Sequence, residues 1–392
     1  MTDRSTRAAD DTAATMIRYV DDRGSLEDAR SALAAADLLA VDCEAAGFHR
    51  YSDRLCLVQV TCGGRTYLFD PLALDPAPAL KAPLRDPTVD VVMHGADFDL
   101  RLLDRDLGLR VRALFDTQVA ASLLGVDGVG LGTLLGIRFG IQLSKKYQQA
   151  DWARRPLPGP MLEYAARDTA HLADLAGQLR TELLEAGRLE WALEEFRTLE
   201  AVRFESPPAR DPVLQVREAR NLGAREVDRL REALDWRDRI AKQRDRAPFR
   251  VAGNRTLVDA AEKNPGTVGE LADVSGMNAA LAREWGGELI RRFRSVDRRP
   301  AEMLTGYPCR AATRNGRRHR HRPEVERRLT RLKAVRNATA AKLGLDRGTL
   351  ISNAVLEVIA EAAPSGRDEL AGLRGVRRWQ SDVLGAELLA SV

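Results

Sequence analysis

Displaced against itself by 99 residues, the second half of the chain matches itself without a gap. Leu230 falls on Leu329, Arg237 on Arg336, Ala241 on Ala340, Leu257 on Leu356 and Pro265 on Pro364. Further on, Glu270-Leu271 falls on Glu369-Leu370, Gly276 on Gly375 and Glu288-Leu289 on Glu387-Leu388. Shared leucines alone would mean little in a leucine-rich chain, but shared Arg, Pro and Gly positions specify backbone geometry. The register therefore predicts two copies of one small helical unit. Between them runs Arg310, Arg314 and Arg317-Arg318-His319-Arg320-His321-Arg322, with no acid from Leu304 to Pro323. Charge is thus concentrated locally although the whole chain carries a net of only +4.

The first half has a different texture. Apolar runs of strand length occur at Leu38-Leu39-Ala40-Val41-Asp42, Leu55 to Val60, Thr66 to Phe69 and Val89 to Met93, with a hairpin turn at Cys62-Gly63-Gly64-Arg65. Beyond Gly95 the period becomes helical, with Leu100, Leu102, Leu103 and Leu107 on one face, then Val119 to Leu124, then a long segment from Gly159 to about Gly187. Strands followed by helices predict a mixed sheet flanked by helices. The expected divisions are a flexible lead over 1–15, an α/β domain over 16–205, a Pro-rich linker over 206–215, the first helical unit over 216–298, a basic linker over 299–322 and the second unit over 323–392.

Composition narrows the functional classes. At 392 residues and 44% hydrophobic content the chain can bury several cores, which excludes a disordered protein. Four cysteines without CxxC spacing indicate neither a zinc module nor a disulfide scaffold. No stretch has the apolar length of a membrane span and Met1 to Thr15 has no signal-peptide core, so a soluble, cytoplasmic protein is expected, with no membrane partner. Arginine supplies 54 of the 61 basic residues. It suits bidentate phosphate contacts, although genomic base composition also favours it.

Three acidic groupings carry chemistry. Asp42 and Glu44, two apart on a strand, point to one side while Cys43 points to the other. Adjacent carboxylates repel and are most easily tolerated around a cation. Asp99 follows the His94-Gly95 turn, where a strand gives way to a helix, a position that suits a crevice site; Asp97 there reads as a helix cap. Tyr164 and Asp168, four apart on a helix, address the same point in space. Each pattern is common by itself.

The ordered set Asp42-x-Glu44, Asp99 and Tyr164-x-x-x-Asp168 resembles the DEDD superfamily of 3′–5′ exonucleases, in the branch whose last motif carries tyrosine. The segment from Ser144 to Leu157 and Phe115-Asp116-Thr117 narrow the resemblance to ribonuclease D and its exosome-associated relatives. It covers the chain from about Ala40 to Leu179. The repeats are similar to HRDC domains: Trp236-Arg237, Pro248, Leu257 and Pro265 fit the first, while the second has Val335 in place of the tryptophan and lacks the proline.

The resemblance implies a ribonuclease H-like fold holding two divalent metal ions, Mg²⁺ or Mn²⁺, on Asp42, Glu44, Asp99 and Asp168. Asp42 would bridge both ions, Glu44 and Asp168 would complete the site of the ion that activates water, Asp99 would hold the other directly or through water, and Tyr164 would orient the attacking water. Lys145 and Lys146 are candidate phosphate contacts. The implied activity is trimming of RNA 3′ ends, such as those of tRNA precursors, with release of nucleoside 5′-monophosphates, by a protein expected to be monomeric. A DNA-directed 3′–5′ exonuclease and a non-catalytic RNA-binding adaptor with the same fold remain open alternatives.

Overall fold

The computed structural model describes residues 16–206, 208, 210–308 and 323–392. The lead 1–15 and the arginine cluster from Arg310 to Arg322 lie outside the described residues.

The apolar runs become a six-stranded sheet: β1 (Met16–Val20), β2 (Leu38–Ala45), β3 (Leu55–Cys62), β4 (Arg65–Phe69), β5 (Asp90–Met93) and β6 (Leu114–Asp116), ordered β1-β4-β3-β2-β5-β6. β3 pairs antiparallel with β2 and β4, and the remaining pairs are parallel, so the sheet is mixed as expected. The β3–β4 hairpin turns on Gly63 and Gly64, both at positive φ, the twist that a two-residue hairpin loop requires. Alternation along β2 sorts its two faces. Leu39, Val41 and Cys43 enter a core with helices α1 (Arg23–Ala34), α2 (Ala77–Arg85) and α3 (Asp97–Leu107). Ala40, Asp42 and Glu44 face the other way, and Ala40 belongs to the core that includes α4 (Thr117–Leu124), α5 (Leu131–Phe139), α7 (Leu172–Glu185) and α8 (Leu189–Glu200). The long helical segment expected from Gly159 is two helices, α6 (Gly159–Ala170) and α7, separated at His171, whose φ of −115° leaves the helical range.

The repeat register holds to the residue. In the first copy the helices are α9 (Ala224–Gln243), α10 (Pro248–Val251), α11 (Asn254–Lys263), α12 (Val268–Ala272) and α13 (Ala279–Asp297); in the second, α14 (Pro323–Leu343), α15 (Arg347–Leu350), α16 (Asn353–Ala362), α17 (Arg367–Ala371) and α18 (Arg378–Leu389). The repeated arginines explain themselves. Arg237 donates to Asn254 Oδ1 at 2.7 Å, and Arg336 donates to Asn353 Oδ1 at the same distance, each fixing the start of the third helix in its copy. Where the second copy lacks the proline that opens α10, the Asp346 side chain caps α15 by accepting from Gly348 N.

The described residues group into two compact bodies that do not follow chain order. Residues 16–45, 55–204 and 323–392 form one, so the sheet and the second copy share it; residues 46–54 and the described part of 205–308 form the other. In the first body, Trp379 stacks on Trp191 with centroids 4.8 Å apart, and Glu194 accepts from the free N–H groups of Arg378 and Trp379 at the start of α18. Arg188 donates to Leu123 O and Leu343 O, both at 2.8 Å, capping the ends of α4 and α14 together. In the second body, Val213 and Val216 are buried in the core of the first copy and Tyr307 packs against it, so residues flanking the five helices complete that small core.

Candidate active site

Asp42, Glu44 and Asp168 each present a carboxylate oxygen to one point, the three oxygens lying within 4.8 Å of one another. Local structure accounts for the convergence. The two strand residues share a face by alternation, and α6 lies across that face, anchored where Thr169 Oγ1 meets Thr61 Oγ1 at 2.6 Å. One helical turn before Asp168, Tyr164 lines the same cleft.

Asp99 stands outside the trio. It occupies the first turn of α3 and is only 8% exposed. The turn that delivers it is held by the buried Asp116 carboxylate, which accepts from Gly95 N, Ala96 N, Gln118 N and Val119 N. His94 Nδ1 meets Thr117 Oγ1 at 2.9 Å, a tie within the same turn.

Crowding of acids shifts every one of these groups toward its protonated form. Burial, offset in part by the Cys43 N–H, raises the Asp42 pKa to about 6. Glu44 rises to about 10 through burial and then the charges of Asp42, Asp168 and Asp99. Asp168 rises to about 8 through burial and the charge of Asp42. Burial and then Asp42 and Asp116 push Asp99 well above the carboxylate range. Three carboxyl groups converging on one point, with a fourth buried near enough to raise the pKa of Glu44, are most stable when protonated or when positive charge lies among them. An all-oxygen donor set fits a hard divalent cation and not zinc, which favours nitrogen and sulfur.

The cleft beside the carboxylates has a volume of about 200 Å³ and is lined by Ser144, Lys146, Tyr147, Glu163, Tyr164, Arg167 and Asp168 among others. Of the two lysines singled out from the sequence, Lys146 lines it and Lys145 does not. Arg167 was not foreseen; its signal is a cation one residue before Asp168 on the exposed side of α6. The Tyr164 ring is held by Tyr147 at 5.8 Å and by the buried Trp152 at 6.0 Å, centroid to centroid. The 144–157 segment is in turn tethered by Arg155, which donates to both Asp70 oxygens at 2.5 and 2.7 Å and to Cys56 O at 2.8 Å. Burial, followed by the charges of Asp168, Glu44 and Asp42, raises the Tyr164 phenol pKa above its usual value.

Comparison with known proteins gives the same picture. A 3′–5′ exonuclease family model matches residues 17–184, and an HRDC domain model matches 217–292 and again 325–392. A ribonuclease D of Pseudomonas paraeruginosa is 30% identical over 376 residues, covering 95% of this chain and 96% of its own length. Exosome complex exonuclease RRP6 of Saccharomyces cerevisiae is 34% identical over 255 residues, 61% of this chain, which spans only 35% of that longer protein. The crystal structure of the catalytic core of RRP6 from Trypanosoma brucei superposes with a TM-score of 0.66 at 27% identity, covering 73% of this chain and 81% of that one. Among the described residues, no helix is long and apolar enough to cross a membrane.

Proposed function

Because the chain belongs to the ribonuclease D family of 3′–5′ exoribonucleases, we propose that it trims the 3′ ends of structured RNA, such as tRNA precursors, and releases nucleoside 5′-monophosphates. The observation that carries this reading is the convergence of Asp42, Glu44 and Asp168 beside Tyr164. Asp42, Glu44, Asp99 and Asp168 would hold two divalent cations, Mg²⁺ or Mn²⁺. Such a pair supplies charge stabilisation at the attacking and leaving oxygens of an in-line displacement at phosphorus.

The chain's own groups set the geometry. A phenol whose pKa is raised stays protonated at neutral pH, so Tyr164 acts by donating a hydrogen bond that orients the attacking water and not by accepting its proton. Tyr147 and Trp152 fix the direction of that donation by packing on its ring. Lys146 and Arg167 supply cations at the cleft for the phosphates of the strand, and this electrostatic grip weakens with salt. The protein works as a monomer in this reading. A DNA-directed exonuclease would use the same carboxylates, and the family relationship favours RNA.

The test is a time course on matched single-stranded RNA and DNA in Mg²⁺, run with wild type and Asp42→Asn. RNA should be shortened from the 3′ end faster than DNA, and Asp42→Asn should lose release while still binding RNA. Faster release of deoxynucleotides would reverse the choice of substrate, and persistent activity in the variant would mean the site lies elsewhere.

A further inference from the structure

Gln59 sits in the middle of β3 with none of its side chain exposed, and neither its amide oxygen nor its amide nitrogen has a hydrogen-bond partner among the described residues. Burying an amide without hydrogen-bond partners is destabilising. The run around it, Leu55-Cys56-Leu57-Val58-Gln59-Val60, is otherwise apolar, and the sheet would be better served at this position by Leu or Met. Its place in the register explains what such a residue is for. Gln59 lies directly across from Asp42 in the antiparallel β2–β3 pair. Opposed residues in such a pair project to the same face with Cβ atoms roughly 4.5–5.5 Å apart. That face is the one covered by α6, since Thr61, two residues further along β3, bonds to Thr169. The amide is therefore enclosed beneath the carboxylate cluster, on the side away from solvent.

We infer that Gln59 is a positioning residue for Asp42, donating an amide N–H across the β2–β3 pair to the carboxylate when that carboxylate holds a divalent cation. A carboxylate that binds cations through one side has lone pairs left on the other, and orienting partners of this kind stiffen a ligand and strengthen its hold on the metal. The inference rests on the metal-dependent reading above.

The variant is Gln59→Met, which keeps the volume and removes both polar ends. Thermal unfolding in EDTA comes first: the variant should melt at or above the wild-type midpoint, since an unpaired buried group is removed. A fall of more than about 3 °C would assign the amide a structural partner and overturn the inference. Mn²⁺ titration of the RNA-free proteins by calorimetry comes second, with the variant expected to bind about tenfold more weakly and its metal requirement in RNA trimming to rise by the same factor. Equal affinity in variant and wild type would overturn the role of Gln59 alone. Absence of Mn²⁺ binding by the wild type would overturn both it and the proposed function.

Discussion

Gly125 ends α4 in the left-handed region, φ 76°, and a Cβ built there would lie 2.0 Å from the carbonyl oxygen of Gly344, itself at φ 65° beyond the end of α14. The alanine variant Gly125→Ala therefore meets two separate penalties. Holding alanine in the left-handed region costs roughly 1–2 kcal/mol. The clash is with backbone, so α4 and α14 must separate by more than 1 Å, which is roughly the shortfall from ordinary contact near 3.4 Å. Separation strains Arg188, which grips Leu123 O and Leu343 O together. Overpacking of this kind typically costs a further ~1–3 kcal/mol, for a total of about 2–5 kcal/mol. Gly108→Ala is the matched control. Gly108 ends α3 at φ 62° with nothing within 4 Å of an added Cβ, so it should show the conformational penalty alone. Scanning calorimetry of the full chain should show the unfolding transition of the body containing the sheet and the second copy falling further in Gly125→Ala than in Gly108→Ala. Midpoints of the two variants within about 1 °C of each other would refute the argument that the glycine is required by the neighbouring carbonyl.

Other consequences follow from charges. In the cation-free protein Asp42, Glu44 and Asp168 have pKa values raised above those of the unfolded chain, so folding favours their protonated forms. Their contribution is fully present below about pH 4 and is lost as pH climbs through about 6 for Asp42, 8 for Asp168 and 10 for Glu44. Melts in EDTA should therefore show wild type losing more stability between pH 5 and pH 9 than Glu44→Gln does; parallel curves would count against the shifts. Mn²⁺ should restore wild-type stability most strongly at the alkaline end, where the ligands ionise. Arg155→Met leaves the Asp70 carboxylate, 2% exposed, without its cation, and should cost ~2–4 kcal/mol and loosen the 144–157 segment. Unchanged melting and unchanged protease resistance near Lys145-Lys146 would contradict it.

Much of the architecture can be read from residues alone where a pattern is local. Strands β2 to β5 announce themselves as apolar runs, and the i, i+2 and i, i+4 spacings are enough to put Asp42 with Glu44 and Tyr164 with Asp168. β1 and β6 escape notice for different reasons. Met16 and Ile17 lie at the sheet edge and stay exposed, so Met16–Val20 lacks a clean alternation, and Leu114–Asp116 is three residues long. The placement of the second repeat in the same body as the sheet was also out of reach, since it depends on contacts such as Glu194 with α18 and Gly125 with Gly344 that join residues more than 180 positions apart. Gln59 did leave a trace, a lone amide in an apolar run, but its meaning needs the register with Asp42.

That the sheet and the second repeat form one body while the first repeat lies between them in the chain matters for synthesis. The core that contains Phe196 and Leu179 is completed by Trp379, Leu384 and Leu388, which are made after the whole of the first repeat. At about 5–20 residues per second, the stretch from Phe204 to Leu388 takes roughly 10–40 s to make. During that interval the face of α8 that receives α18 has no cover, while the intervening repeat completes its own core as soon as α13 has emerged. The nascent chain thus passes through a period in which the first repeat can fold while the body with the sheet still waits for α18, and a chain interrupted within α18 leaves that body with an open apolar face.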